Sequence, residues 1–246
     1  MEGRRIAELL LSTLRLYHDP VAVTFFSEDP PSGFPRSKKR LSLCQVVAHV
    51  RETGEPVLVL PEDLHCQTAA FLCGWPFQEE KVRRVLGKFL RPEAAEILYQ
   101  KRSRLPQGTL QGLLFEPLAQ IKNHPAVFLL IVDALQATHL LNFYLYAEGL
   151  PELSLIHYSG AALCGTMVKA YLEDRPVLSL PCSGAFSSGK LERGELILGF
   201  SARAFKKVIT VLEERASEGR VSFLGGAHLV GEDICRNCPL IAFEKK

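Results

Sequence analysis

Cys44, Cys66, Cys164 and Cys182 are the residues of this 246-residue chain best suited to chemistry. Each stands where an apolar, strand-like run meets a helix-like run or a Gly/Ser turn. Such junctions lie at the edges of a sheet, where backbone N–H groups point outward and ligands collect. Four thiols drawn together from distant points of one chain suit a soft-metal site, above all an iron–sulfur cluster of the 4Fe-4S kind. Cysteine is the side chain that supplies an anionic, polarizable sulfur to such a cluster. Helix N-termini assist, because their N–H groups donate to thiolate or sulfide and lower the thiol pKa. Cys66 and Cys164 fall near opening helix turns, Cys44 follows Ser42, a helix-capping residue type, and Cys182 lies in the turn Pro181-Cys182-Ser183-Gly184. The plain alternative is that all four pack as small hydrophobes.

The remaining cysteines divide. Cys73 sits among Phe71, Leu72 and Trp75 and reads as core. Cys235-Arg236-Asn237-Cys238-Pro239 is a C-x-x-C pair, a spacing that grips one metal or one cluster edge, so Cys235 and Cys238 join the candidate metal ligands. No second pair at matching spacing is present, which disfavours a self-contained zinc ribbon. Around the main four, Lys190, Ser183 and Ser187 are candidates to tune a bound cofactor by hydrogen bonding, and His65 to act from beside Cys66 as a donor or proton relay. Glu62 and Asp63 flank the same cysteine, with Asp63 a candidate helix cap. His157 and Tyr158 end a strand-like run before Cys164, while His139 on an apolar helix reads as structural.

Gly184 to Lys190 fits the formal pattern of a phosphate loop, but Leu191 stands where Ser or Thr would bind Mg²⁺, and a strand-like run follows. A glycine-rich turn beside Cys182 is the reading preferred. No Ser-His-Asp order, paired carboxylates or H-E-x-x-H helix is recognisable.

These side chains need elements to hold them. Residues 4–17 have helical apolar spacing, and Pro20–Phe26 reads as a strand. Ser27–Lys39 is loop, Ser42 caps a helix over Cys44–Glu52, and Gly54 closes it. Pro56–Leu60 is a short strand, and a helix is predicted from Pro61 through about Cys73, ended by Gly74 and Pro76. Residues 79–103 are helical, with a second start at Pro92; Leu113–Pro117 and the continuous run Ala126–Val132 are strands, the latter suited to the sheet centre. Then come a helix over Ala134–Glu148, a strand over Leu153–Tyr158, a helix over Ala161–Leu172, and strands at Pro176–Leu180 and Glu195–Phe200. A helix over Ala204–Arg215 and a short strand near Val221–Leu224 complete the order. The alternation predicts an α/β (or α+β) fold, a mixed sheet with helices packed on it. One domain over 1–246 is expected, or two βα-rich lobes at about 1–110 and 111–246, with a tail at 225–246. VLVLPEDLHCQTAA and LSLIHYSGAALCGTMV echo each other faintly, which is read as the common look of βα units rather than duplication.

Composition bounds the function classes. Apolar residues make up 47% and charged residues 23%, and 29 basic against 27 acidic residues give a net charge of +2. That balance gives no reason to expect a nucleic-acid partner. The dense basic run Arg36-Ser37-Lys38-Lys39-Arg40 reads as a solvated loop. No apolar stretch approaches the roughly 20 residues of a membrane span, and the N-terminus lacks a signal-peptide core. A cytoplasmic location with reduced thiols is the resulting expectation, and an odd cysteine count of 7 agrees with it.

Several of these pieces occur together in an order that resembles one family. They are PVAVTF at 20–25, Cys44-Gln45, LPEDLHC at 60–66 with Gly74 after it, the Ala126–Val132 strand, Gly160 to Cys164, PVLSLPCSG at 176–184 and ELILGF at 195–200. The chain resembles the DUF169 family of bacterial and archaeal proteins. The resemblance implies a shared site at Cys44, Cys66, Cys164 and Cys182, and it implies no particular activity. The expectation that follows is a redox or electron-transfer protein carrying one cluster, with a partner protein or small molecule as its counterpart. The alternatives are a non-redox binding or assembly protein with structural zinc or no metal, and a thiol enzyme using Cys66 or Cys182.

Overall fold

A computed structural model describes residues 2–88, 90–150 and 160–218. The strands predicted at 153–158 and 221–224, His157, Tyr158, and the pair Cys235 and Cys238 lie outside the described residues.

Helices and strands alternate as the periodicity predicts. The order is α1 (Glu2–Leu14), β1 (Val21–Phe26), α2 (Leu43–Thr53), β2 (Val57–Val59), α3 (Gln67–Leu72), α4 (Glu79–Gly87), α5 (Pro92–Lys101) and β3 (Gly112–Pro117). It continues with β4 (Val127–Val132), α6 (Ala134–Glu148), α7 (Ala162–Glu173), β5 (Val177–Ser179), α8 (Ser183–Gly189), β6 (Leu196–Ser201) and α9 (Ala202–Ser217). Two predicted local signals operate as written. Ser42 accepts the Gln45 N–H while the Gln45 side chain returns to the Ser42 N–H, and Gly54 ends α2 in the left-handed conformation.

Two local predictions need correction. The helix expected from Pro61 to Cys73 is broken: Pro61–Asp63 form a 3₁₀ turn, and α3 starts only after Cys66. Asp63 explains the break. Its carboxylate accepts the Leu60 N–H at 3.0 Å and pairs with Arg36, which caps the turn instead of the helix. The Gly/Ser stretch after Cys182 forms α8 rather than a plain turn. Glycine and serine are poor helix formers, so packing against α2 holds this short helix.

The six strands form one sheet in the order β2-β3-β1-β4-β6-β5, antiparallel at every pairing. The run at 126–132 lies at the centre, as expected for a strand covered on both faces. Alternation along β4 sorts the layers: Val127, Leu129 and Ile131 enter one core, Phe128, Leu130 and Val132 the other. The first core is covered by α2, α3, α4, α5, α7 and α8, the second by α1, α6 and α9. Close approach on the first face depends on Gly199 of β6. A Cβ there would stand 2.8 Å from Thr166 Cγ2 of α7, so only glycine lets α7 lie this near the sheet.

The strand order also repeats. Reading outward from the central pair, the first half runs β1-β3-β2 and the second β4-β6-β5. Both edge strands come from nearly the same words, PVLVLP at 56–61 and PVLSLP at 176–181. The chain path is that of a two-fold repeat about the β1–β4 pair. The echo noticed in the sequence is therefore better aligned on Cys66 with Cys182 than on Cys66 with Cys164.

Candidate metal centre

Each half of the repeat delivers two cysteines to the same face. Cys44 is the second residue of α2 and Cys164 the third of α7; Cys66 and Cys182 occupy the N-cap positions of α3 and α8. The helices interleave across the halves, with α8 packed on α2 and α3 packed on α7. As a result Cys44, Cys66, Cys164 and Cys182 all line one cavity of about 450 Å³. Gly189 lies against Cys44, where an added Cβ would make van der Waals contact at 3.4 Å. Cys164 is 3% exposed and Cys182 9%, whereas Cys44 and Cys66 are half-buried.

Backbone donors reach the sulfurs. The Ala162 N–H donates to Cys182 Sγ at 3.4 Å, and the Ala69 and Thr68 N–H groups at the start of α3 oppose the rise of the Cys66 thiol. Cys164 Sγ–H donates to the Ala161 carbonyl at 3.6 Å. Gly160 and Ala161 are both left-handed, at φ 73° and 57°, and this turn brings the first N–H of α7 to Cys182. A left-handed alanine is strained, and strain of this kind gathers at functional sites. Arg102, 5% exposed at the end of α5, holds the turn by donating from Nη2 to the Gly160 carbonyl at 2.7 Å.

Burial holds the Cys44, Cys66 and Cys164 thiols protonated. Burial pushes Cys44 up to about 12, and the neighbouring Cys182 and Cys66 add to the rise. Burial raises Cys164 well above the ordinary thiol value, with Cys66, Cys44 and Cys73 adding and Arg102 opposing. Burial also raises Cys66, against the two backbone donors. Forming several thiolates here therefore requires a cation bound among them.

The other predicted site residues separate. His65 and Ser183 line the cavity; His65 Nδ1 lies 3.3 Å from the Arg40 carbonyl oxygen. Ser187 and Lys190 are not brought to it: Ser187 Oγ donates to the Ser183 carbonyl at 2.8 Å, and Lys190 pairs with Glu52 at 2.6 Å on the exposed side of α8. Cys73 is fully buried in the core, as expected. Glu62 faces away to Arg36, at 2.8 Å. The sequence reading missed Lys81 and Arg84 of α4 on the cavity wall, and Arg102 beneath it. Their helical spacing was legible, but not which helix would lie across the cysteines.

Among the described residues, no group of three or more His, Cys, Asp or Glu is gathered as if around a single metal ion. No helix among them is long and apolar enough to cross a membrane. The family model for DUF169, described as uncharacterised ArCR, matches residues 9–211. The chain belongs to the DUF169 family. The matched span contains Cys44, Cys66, Cys164 and Cys182 and stops short of Cys235 and Cys238, so the C-x-x-C pair lies outside what this DUF169 chain shares with its family model. No curated protein and no solved structure matches the chain.

Proposed function

We propose that the cavity holds an iron–sulfur cluster of the 4Fe-4S kind on Cys44, Cys66, Cys164 and Cys182, and that the protein works in redox or electron transfer. One observation carries the reading: cysteines from four separate elements meet at one cavity instead of filling separate parts of the core. The donor set fits the group. Four soft sulfurs are present, and the described cavity wall carries no carboxylate. In a cluster each thiolate binds its own iron, so the sulfurs ring a volume rather than crowd one point. A lone zinc would instead draw four sulfurs to about 2.3 Å from one centre, and metal analysis separates the two.

Bound there, the group would accept and release single electrons. The chain supplies the rest. The Ala162 N–H bond offsets charge on the Cys182 sulfur, and such bonds raise a reduction potential. Leu43, Ala69 and Val85 of the wall limit water access. The thiol-enzyme reading loses support at Cys66, because a nucleophilic cysteine needs a depressed pKa and Cys66 has a raised one. Anaerobic purification followed by iron and sulfide analysis and a visible spectrum tests the proposal. A brown protein with about four irons and four sulfides per chain is expected. A colourless protein, without iron under those conditions and after anaerobic reconstitution, overturns it.

A further inference from the structure

Lys81 and Arg84 lie one helical turn apart on α4 and both reach the wall of the cysteine cavity. Both are exposed. Among the described residues Lys81 makes no ion pair, and Arg84 pairs only with Glu80 of its own helix, at 2.8 Å, where both side chains are largely in water. A pair this exposed exchanges readily with other anions. No carboxylate joins them among the described wall residues, and the hydroxyls of Thr68, Ser183 and Ser188 stand on the same wall. Two cations above an apolar, water-poor wall focus a positive potential at the opening. The cavity, at about 450 Å³, falls within the size range of small-molecule sites.

We infer that the mouth of this cavity binds a small oxyanion-bearing molecule, a carboxylate or phosphate held by Lys81 and Arg84, with its remainder directed toward the thiols. The inference rests on the proposed metal centre for what happens at the cavity floor, and on the α4 cations for recognition. It deepens that reading by giving the centre a class of small-molecule counterpart.

The test is titration calorimetry on the anaerobically purified full chain, with inorganic phosphate, succinate and uncharged succinamide as separate probes. At least one anion should bind saturably, more weakly as salt rises, while succinamide gives no signal. The double variant K81Q/R84Q, which removes both charges and keeps polar side chains with the first two methylenes, should weaken that binding about tenfold or more while its melting curve stays that of the parent. Iron and sulfide are counted on the same samples. Iron present with no saturable anion binding, or binding unchanged in K81Q/R84Q, overturns the inference and leaves the metal centre standing. Binding lost in K81Q/R84Q from a chain that never holds iron overturns the metal centre and leaves the anion site.

Discussion

In the first half of the molecule Cys44 sits early in α2 and Cys66 caps α3; in the second, Cys164 sits early in α7 and Cys182 caps α8. The strand order repeats with them. Their surroundings do not. The first-half cysteines are half-buried, and the second-half cysteines are buried. α2 begins on a Ser42–Gln45 capping box, while α7 begins on the left-handed pair Gly160-Ala161 with no side-chain cap. Only the first half inserts α4 and α5 between its capped helix and its last strand, and these bring Lys81, Arg84 and Arg102 to the site. Repetition thus accounts for the four thiols, and the insertion supplies Lys81, Arg84 and Arg102 beside them.

If both halves contribute ligands equally, Cys66→Ser and Cys182→Ser should each lower iron per chain to about a tenth of the parent or less. Cys73→Ala, in the first-half core, should keep its iron. Retention of iron by either ligand variant would show that one half suffices. A difference in exposure sharpens the comparison: in metal-free protein a maleimide should label half-buried Cys66 at least about tenfold faster than buried Cys164, whose thiol is raised well above the ordinary value, read by peptide mass spectrometry.

Packing effects come next in size. Gly199→Ala drives a Cβ against Thr166 and should cost about 1–3 kcal/mol in urea unfolding. Gly87→Ala at the end of α4 meets nothing within 4 Å and should be neutral or slightly stabilising. Ser42→Ala removes a cap that α7 never had and should cost about 1 kcal/mol.

The smallest effect concerns the residues before the two central strands, Asp19-Pro20 and His124-Pro125. Burial raises the Asp19 carboxyl to about 6 from 3.8, against the Ala119 N–H it accepts at 2.9 Å. The folded chain therefore holds this proton more tightly than the unfolded one. Its contribution is complete below about pH 4, declines as pH rises toward 6, and is constant above. Asp19→Asn should gain on the parent between pH 4 and pH 7 by about 1 kcal/mol or less after solvent screening. Denaturant unfolding of both proteins at the two pH values would detect this, and parallel pH curves would refute it.

Much of the fold was legible where a signal is local. Ser42 and Gly54 bracketed α2, Pro92 opened α5, and unbroken apolar runs marked the central strands. The misreadings fell where tertiary contacts overrule propensity. Asp63 turned to Arg36 and the Leu60 N–H, which split a predicted helix just before Cys66. Packing on α2 made a helix of a Gly/Ser stretch. Lys190 looked close to Cys182 in sequence, but the left-handed end of α8 turned it out to Glu52.

The sequence by itself determined the alternation of elements, the Ser42-capped entry of α2 and the four cysteines at their junctions, because hydrophobic period, capping and turn chemistry act over a few neighbouring residues. The tertiary structure decided the antiparallel order, the twofold chain path and the interleaving of α2 with α8 and α3 with α7. Those depend on which apolar faces bury one another across more than a hundred residues, and that burial carries the four sulfur atoms into one cavity.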